Sequence, residues 1–360
     1  MTVDRDTQLA KVILTHSLSV KKGEKILVTV SGRGADPLVK AVYVEALKMG
    51  AHVMVEGGGQ DLSYQFYKHA SDEQIGYMPE SVVKAKIEWA DAYVRIVAED
   101  NSRELAEIDP VKLTSRAKLL RPLMDPMIDS DRWVLTYYPT HGMAQQAGMS
   151  MESLTEFYYD SVLVDYQKME KDLRAIEKIL DTGSEVRVVG KKTDIKINIR
   201  GRLAQSCYGE RNIPDGEVFV GPVHTEVNGE VYFDLPTLAY GHEVRGIHLE
   251  FVDGQVVRAV AEQGDEALQK MLATDQGARY LGEFAIGANY KITKPMMNTL
   301  FDEKIGGTIH MALGRSYKEE RGGGTNESAI HWDIVKDMRL AGSRVEVDGK
   351  VVLVDGKIVV

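Results

Sequence analysis

Only one cysteine, Cys207, occurs in this chain of 360 residues. A lone thiol excludes an intrachain disulfide, fits a reducing compartment, and leaves any metal site to oxygen and nitrogen ligands. No run of about 18 apolar residues is present, so no membrane-spanning helix is expected. The opening residues, Met-Thr-Val-Asp-Arg-Asp, carry acidic side chains with no long apolar stretch behind them. A soluble, cytoplasmic protein is the expectation. Positive charge is also short: 44 Lys and Arg stand against 54 Asp and Glu, a formal net charge of -10. That balance argues against a sequence-independent nucleic-acid partner, which needs a basic face. The patterns G-x-S-x-G, H-E-x-x-H and C-x-x-C are all missing, and Cys207 has no recognisable partner, so serine and cysteine nucleophile readings lack support.

A hydrophobic content of 44% over this length can build two substantial cores, and the expected division is 1-170 and 171-360. The first part alternates helix and strand. Helical spacing runs from Asp6 to Leu18 and from Pro37 to Met49; strands are predicted at Lys25 to Val30, Ala51 to Val55, Ala92 to Ala98 and Trp133 to Tyr138. Repeated units of this kind predict an α/β domain with a mainly parallel sheet. The turn Ser31-Gly-Arg-Gly-Ala-Asp36 lacks both the third glycine of G-x-G-x-x-G and the P-loop lysine. It reads as a strand-to-helix turn capped by Asp36.

An amphipathic helix from Tyr166 to Leu180, with Met169, Leu173, Ile176 and Leu180 on one stripe, marks the boundary. Beyond Gly183 the pattern turns strand-rich, with hairpin turns predicted at Asn228-Gly229, Asp253-Gly254, Asp348-Gly349 and Asp355-Gly356, and one helix near Glu266 to Thr274. A strand-rich α+β domain, antiparallel or barrel-like, is expected, and it holds the candidate chemistry.

That chemistry centres on Ser-Ala-Ile-His331-Trp-Asp333-Ile-Val. Alternate residues of a strand face the same way, so His331 and Asp333 would project together, either as a two-point metal grip or as a buried histidine paired with aspartate by hydrogen bonding. Glu217, Glu283 and His310 each interrupt apolar or turn-rich sequence with one ligand-capable residue. Such groups are costly to bury without a partner, and a divalent cation would satisfy several at once. His248-Leu249-Glu250 also alternates, but it runs into a turn and reads as the solvated face of a hairpin.

The segments Arg211-Asn-Ile-Pro-Asp-Gly-Glu-Val218, Arg279-Tyr-Leu-Gly-Glu283, Phe301-Asp-Glu303, Thr308-Ile-His310 with Tyr317 seven residues on, and His331-x-Asp333 follow one another in an order that resembles the aminopeptidase T family of dinuclear metalloaminopeptidases. The resemblance covers nearly the whole chain, although the specific motifs all follow about residue 210. It implies Glu217, Glu283, His310, His331 and Asp333 as ligands of two divalent ions, zinc or cobalt with manganese as a further choice, and Tyr317 beside the substrate. It further implies a homodimer whose active sites face an enclosed cavity and which accepts short peptides with a free N-terminus. Two departures stand out: extra residues, Lys-Ile-Gly-Gly-Thr-Ile, between Glu303 and His310, and a shortened stretch between His310 and His331 that contains the loop Arg321-Gly-Gly-Gly-Thr325.

The expected activity is therefore removal of N-terminal residues through a metal-activated water, with Glu283 as base and Tyr317 as hydrogen-bond donor. The competing readings are a two-metal hydrolase of another bond, an amidase or a phosphoesterase with Arg315 and Arg321 as anion contacts, and a non-catalytic metal- or peptide-binding protein. A carboxylate-rich ligand set disfavours a purely structural site, where closed cysteine-rich tetrahedra are usual.

Overall fold

Strand Ala92–Ala98 buries every residue but Arg95, the continuous apolar pattern of a parallel strand covered on both faces. In the computed structural model, which describes residues 4–58 and 60–360, it lies at the centre of a five-stranded parallel sheet. The order is His52–Gly58, Lys25–Gly32, Ala92–Ala98, Trp133–Tyr137, Asn212–Ile213. Residues 1–3 of the acidic opening segment lie outside the described residues. The chain divides into two compact units, Met1–Leu163 with Gly209–Ile213, and Val164–Tyr208 with Pro214–Val360.

The first unit has the expected parallel sheet, with two corrections. Asp36 does not cap its helix: the N-cap position belongs to Ala35, which makes no side-chain cap, and Asp36 is the first helical residue. Pro37, with its φ fixed in the helical range, sets the start at that point, and Asp36 instead places its charge in the first turn. The fifth strand, Asn212–Ile213, was not foreseen, because two residues are too few to carry a period-two pattern. The first helix runs as an α-helix over Arg5–Lys11 and continues as a π-helix over Val12–Ser17.

The second unit contains two antiparallel sheets, one of nine strands and one of five. Helix Tyr166–Thr182 buries Leu173, Ile176 and Leu180 in the unit's core, with Met169 packed partly buried against it. Three of the predicted hairpin turns are found: Asp253-Gly254, Asp348-Gly349 and Asp355-Gly356 link paired strands, and both residues of each have positive φ, as type I′ turns require. Asn228-Gly229 is not a turn but lies inside strand Val227–Phe233. Gly229 has φ +120, and a Cβ there would come within 2.2 Å of the Asp194 carbonyl oxygen, so the glycine serves close approach of the neighbouring strand. His248, on strand His242–Val252, pairs with Glu230 at 3.0 Å. None of the described helices is long and apolar enough to cross a membrane.

Candidate metal centre

The five-stranded sheet of the second unit runs His331–Asp337, Thr308–Gly314, Leu281–Gly287, Glu217–Val220, Gln205–Cys207. Its two faces are sorted by the alternation of side chains. One face sends Val218, Val220, Phe284, Ile286, Ile309, Met311, Leu313, Trp332 and Ile334 into the main hydrophobic core. The residues between them carry the polar groups. Register places Glu217 opposite Gly287, Ala285 opposite His310, Glu283 opposite Ala312, and Ala312 opposite Asp333. Glu217, Glu283, His310, His331 and Asp333 therefore share one face, separated by alanine and glycine whose small side chains leave room above the sheet. Gly282 sits at a bulge where the pairing register shifts before Glu283; a Cβ on it would meet the Arg315 carbonyl oxygen at 2.5 Å.

These side chains converge. Ligand-capable atoms of Glu217, Glu283 and His310 lie within 4.8 Å of one another, as do those of Glu283, His331 and Asp333, so Glu283 belongs to both groups; Glu303, His310 and Asp333 form a further set. His310 Nε2 is 3.0 Å from Glu283 Oε1 and 3.3 Å from Glu217 Oε2. His331 Nε2 is 3.5 Å from Asp333 Oδ1 and 3.8 Å from Glu283 Oε2. Both imidazoles turn the other nitrogen to the backbone: His310 Nδ1 donates to the Glu303 carbonyl at 3.0 Å and His331 Nδ1 to the Arg315 carbonyl at 2.7 Å. A carbonyl can only accept, so these bonds place a proton on Nδ1 and orient Nε2 toward the carboxylates, the arrangement that prepares histidine as a metal ligand.

The donor set fits divalent cations. Glu217 Oε2, Glu283 Oε2 and Asp333 Oδ1 are buried and have no hydrogen-bond donor. Anionic oxygens so placed are costly unless a positive charge meets them. Burial pushes the His310 pKa down, but the hydrogen bond to Glu283 and the charges of Glu217 and Asp333 outweigh it and raise it to about 10. His331 is raised as well, against burial, by Asp333 and Glu283. Protons and metal thus compete for the same nitrogens.

A stability consequence follows for chelated protein. A histidine whose folded pKa lies above its unfolded value contributes stability that is fully present below about pH 6.5 and is lost as pH rises through about 10. The melting temperature of the metal-free protein is expected to fall across that interval. Metal-loaded protein, in which a neutral imidazole is the ligand, should show a shallower fall. Calorimetry at a series of pH values with and without chelator checks this; a flat metal-free profile would contradict it.

Tyr317 lies in the irregular stretch between the last two strands, 45% exposed, with its ring centroid 5.1 Å from that of His331 and 5.5 Å from that of Phe219. Burial of the hydroxyl, then the charges of Glu283, Asp333, Glu303 and Glu217, push its pKa up, so it remains a neutral O–H donor. Arg321, an anion contact under the phosphoesterase reading, is instead bound to Glu177 and Asp181, both at 2.7 Å. Arg315 contributes its backbone carbonyl to His331.

Three neighbours of the site were not foreseen. Cys207, which has no partner legible in the sequence, lies with Asp215 and Glu217 in a potential ligand group; burial, then the charges of Asp215 and Glu217, raise its pKa well above the usual thiol value, which keeps it a protonated thiol. Asp215 stands in the segment leading to Glu217. Lys304, 1% exposed, places Nζ 2.6 Å from Glu217 Oε1, 2.5 Å from Glu303 Oε1 and 3.9 Å from Asp215 Oδ1. Its only sequence signal is its position directly after Glu303.

The chain is 28% identical to aminopeptidase 2 of Geobacillus stearothermophilus, an alignment covering 97% of this chain and 94% of that protein. It is 25% identical to aminopeptidase T of Thermus thermophilus, over 95% and 93%. The solved structure of wild-type AmpT from Thermus thermophilus superposes with a TM-score of 0.83 at 25% identity, covering 99% of each chain. A 2,5-dihydroxypyridine dioxygenase from Pseudomonas putida KT2440 shares the fold alone, with a TM-score of 0.67 at 16% identity over 99% and 98% of the two chains; function must be argued from the site. The model of the thermophilic metalloprotease (M29) family matches residues 4–357, nearly the whole chain, and the protein belongs to that family.

Proposed function

We propose that this metalloaminopeptidase acts on short peptides with a free N-terminus, using a water activated by two divalent ions, zinc or cobalt, held by Glu217, Glu283, His310, His331 and Asp333. The observation that carries the reading is the set of buried carboxylate oxygens without donors, gathered around two oriented imidazole nitrogens. Charge supports the count of two. Asp215, Glu217, Glu283, Glu303 and Asp333 bring five formal negative charges and Lys304 one positive, leaving four for two divalent ions to balance.

When bound, such ions supply an acidified water, polarise the scissile carbonyl and anchor the substrate α-amine. The chain's own residues do the rest. Glu283, shared by both ligand groups, is the base that takes a proton from water and passes it to the leaving amine. Tyr317 donates its O–H to the carbonyl oxygen as negative charge develops there. His331, with Nδ1 held by the Arg315 carbonyl, packs its ring at a tilt against that of Tyr317 and so helps set the position of the hydroxyl. Catalysis falls to the strand-rich second unit, Val164–Tyr208 with Pro214–Val360, in a cytoplasmic homodimer.

The test is release of aniline from a leucyl anilide and from its N-acetyl counterpart, using chelated enzyme reconstituted with zinc or cobalt. Metal-dependent cleavage of the free-amine compound alone is expected. Equal cleavage of both would remove the requirement for an N-terminal amine and favour a hydrolase of another kind.

A further inference from the structure

Lys304 is a permanent cation inside an acidic site. An ammonium has three donors and no acceptor, and burying one is costly unless carboxylates surround it. Here Glu217, Glu303 and Asp215 all face it. The main chain fixes its place: Lys304 N donates to the Phe301 carbonyl at 3.1 Å, and its own carbonyl accepts from Asn289 N at 3.0 Å. The helix just before it, Thr299–Asp302, is capped by Asn298, whose side chain accepts from Leu300 N. Strand Leu281–Gly287 passes so close that a Cβ on Gly287 would meet the Ile305 carbonyl oxygen at 2.3 Å. The ammonium therefore sits on a braced turn.

The consequence is asymmetric. Glu217 Oε1 is engaged by Lys304, whereas Glu217 Oε2 has no donor and faces His310. The group formed by Glu283, His331 and Asp333 has no corresponding contact with Lys304. We propose that Lys304 is a positioning residue that competes with metal for Glu217: it holds Oε1, leaves Oε2 alone for an ion, and makes the Glu217 side the weaker half of the centre. Two cations sharing one carboxylate in a buried site repel each other with little screening by solvent. The Glu283–His331–Asp333 half accordingly fills first and the Glu217 half last, and the last ion bound is the first lost. This rests on the two-ion reading above.

The experiment is titration of cobalt(II) into chelated protein, followed by calorimetry and by the visible absorption of the bound metal. Wild type is expected to bind in two steps, the second at least about tenfold weaker. Lys304→Met should leave the first step in place and tighten the second at least about tenfold. A second step that is unchanged or weakened in a folded Lys304→Met overturns the proposal. Should that variant not fold, Glu217→Gln decides: loss of the weaker step supports the proposal, and loss of the tighter one overturns it. One step in wild type that becomes two in Lys304→Met would sustain the competition while ending the two-ion reading of the native enzyme. One step in both would end both.

Discussion

Glu217→Gln is expected to lower bound metal and remove turnover together. The substitution keeps the size and shape of the side chain, and the neighbouring strands hold its backbone through the pairing with Gly287 and Cys207. What it removes is one negative charge from a buried cluster in which Glu217 Oε2 has no protein donor. An amide offers a weaker oxygen ligand and, in the wrong orientation, an N–H directed at His310. Turnover should fall on the order of a thousandfold or more, about 4 kcal/mol of lost transition-state stabilisation. Metal content by mass spectrometry after gel filtration, with anilide hydrolysis on the same sample, checks it. A Glu217→Gln protein with full activity would remove Glu217 from the centre.

Tyr317→Phe should separate what Glu217→Gln removes together. The ring contacts with His331 and Phe219 persist in phenylalanine, and the ligand groups are untouched, so metal content should match wild type. The lost group is the hydroxyl, which burial and then the surrounding carboxylates keep protonated. A donor aimed at a developing oxyanion contributes roughly 100- to 1,000-fold in kcat, and the expected signature is a fall of that size in kcat with KM changed little. A drop in metal content would make Tyr317 a support of the ligand shell, and unchanged kinetics would leave it a packing aromatic.

The parallel sheet of the first unit was legible because its strands are apolar runs alternating with amphipathic helices, a pattern with a strong period. Hairpins with Asp-Gly turns were legible because the backbone there needs two residues at positive φ. Asn228-Gly229 misled because the same glycine preference serves two purposes. In this chain it admits the Asp194 carbonyl to a strand interior, and only the neighbouring strand distinguishes that from a turn.

The candidate centre shows the same division. Its polar residues could be picked out because each interrupts an apolar segment, and a buried ionisable group without compensation is expensive wherever the chain folds. His331 and Asp333 could be assigned to one face from their spacing alone. That Glu217, 114 positions before His331 in the numbering, shares that face depends on register across four strands, and register is set by packing between distant segments. Lys304 was hidden for a related reason: a lysine beside a glutamate reads as solvated surface until folding removes the solvent.

The sequence by itself determined the ligand-capable residue types, the family likeness and the strand periodicity, because local spacing and the cost of burying charge act along the chain. The tertiary structure alone decided which of those groups meet, that both imidazoles are held by backbone carbonyls, and that an ammonium shares Glu217. Those facts arise from Coulomb interactions and hydrogen bonds that act over a few ångströms between residues far apart in sequence.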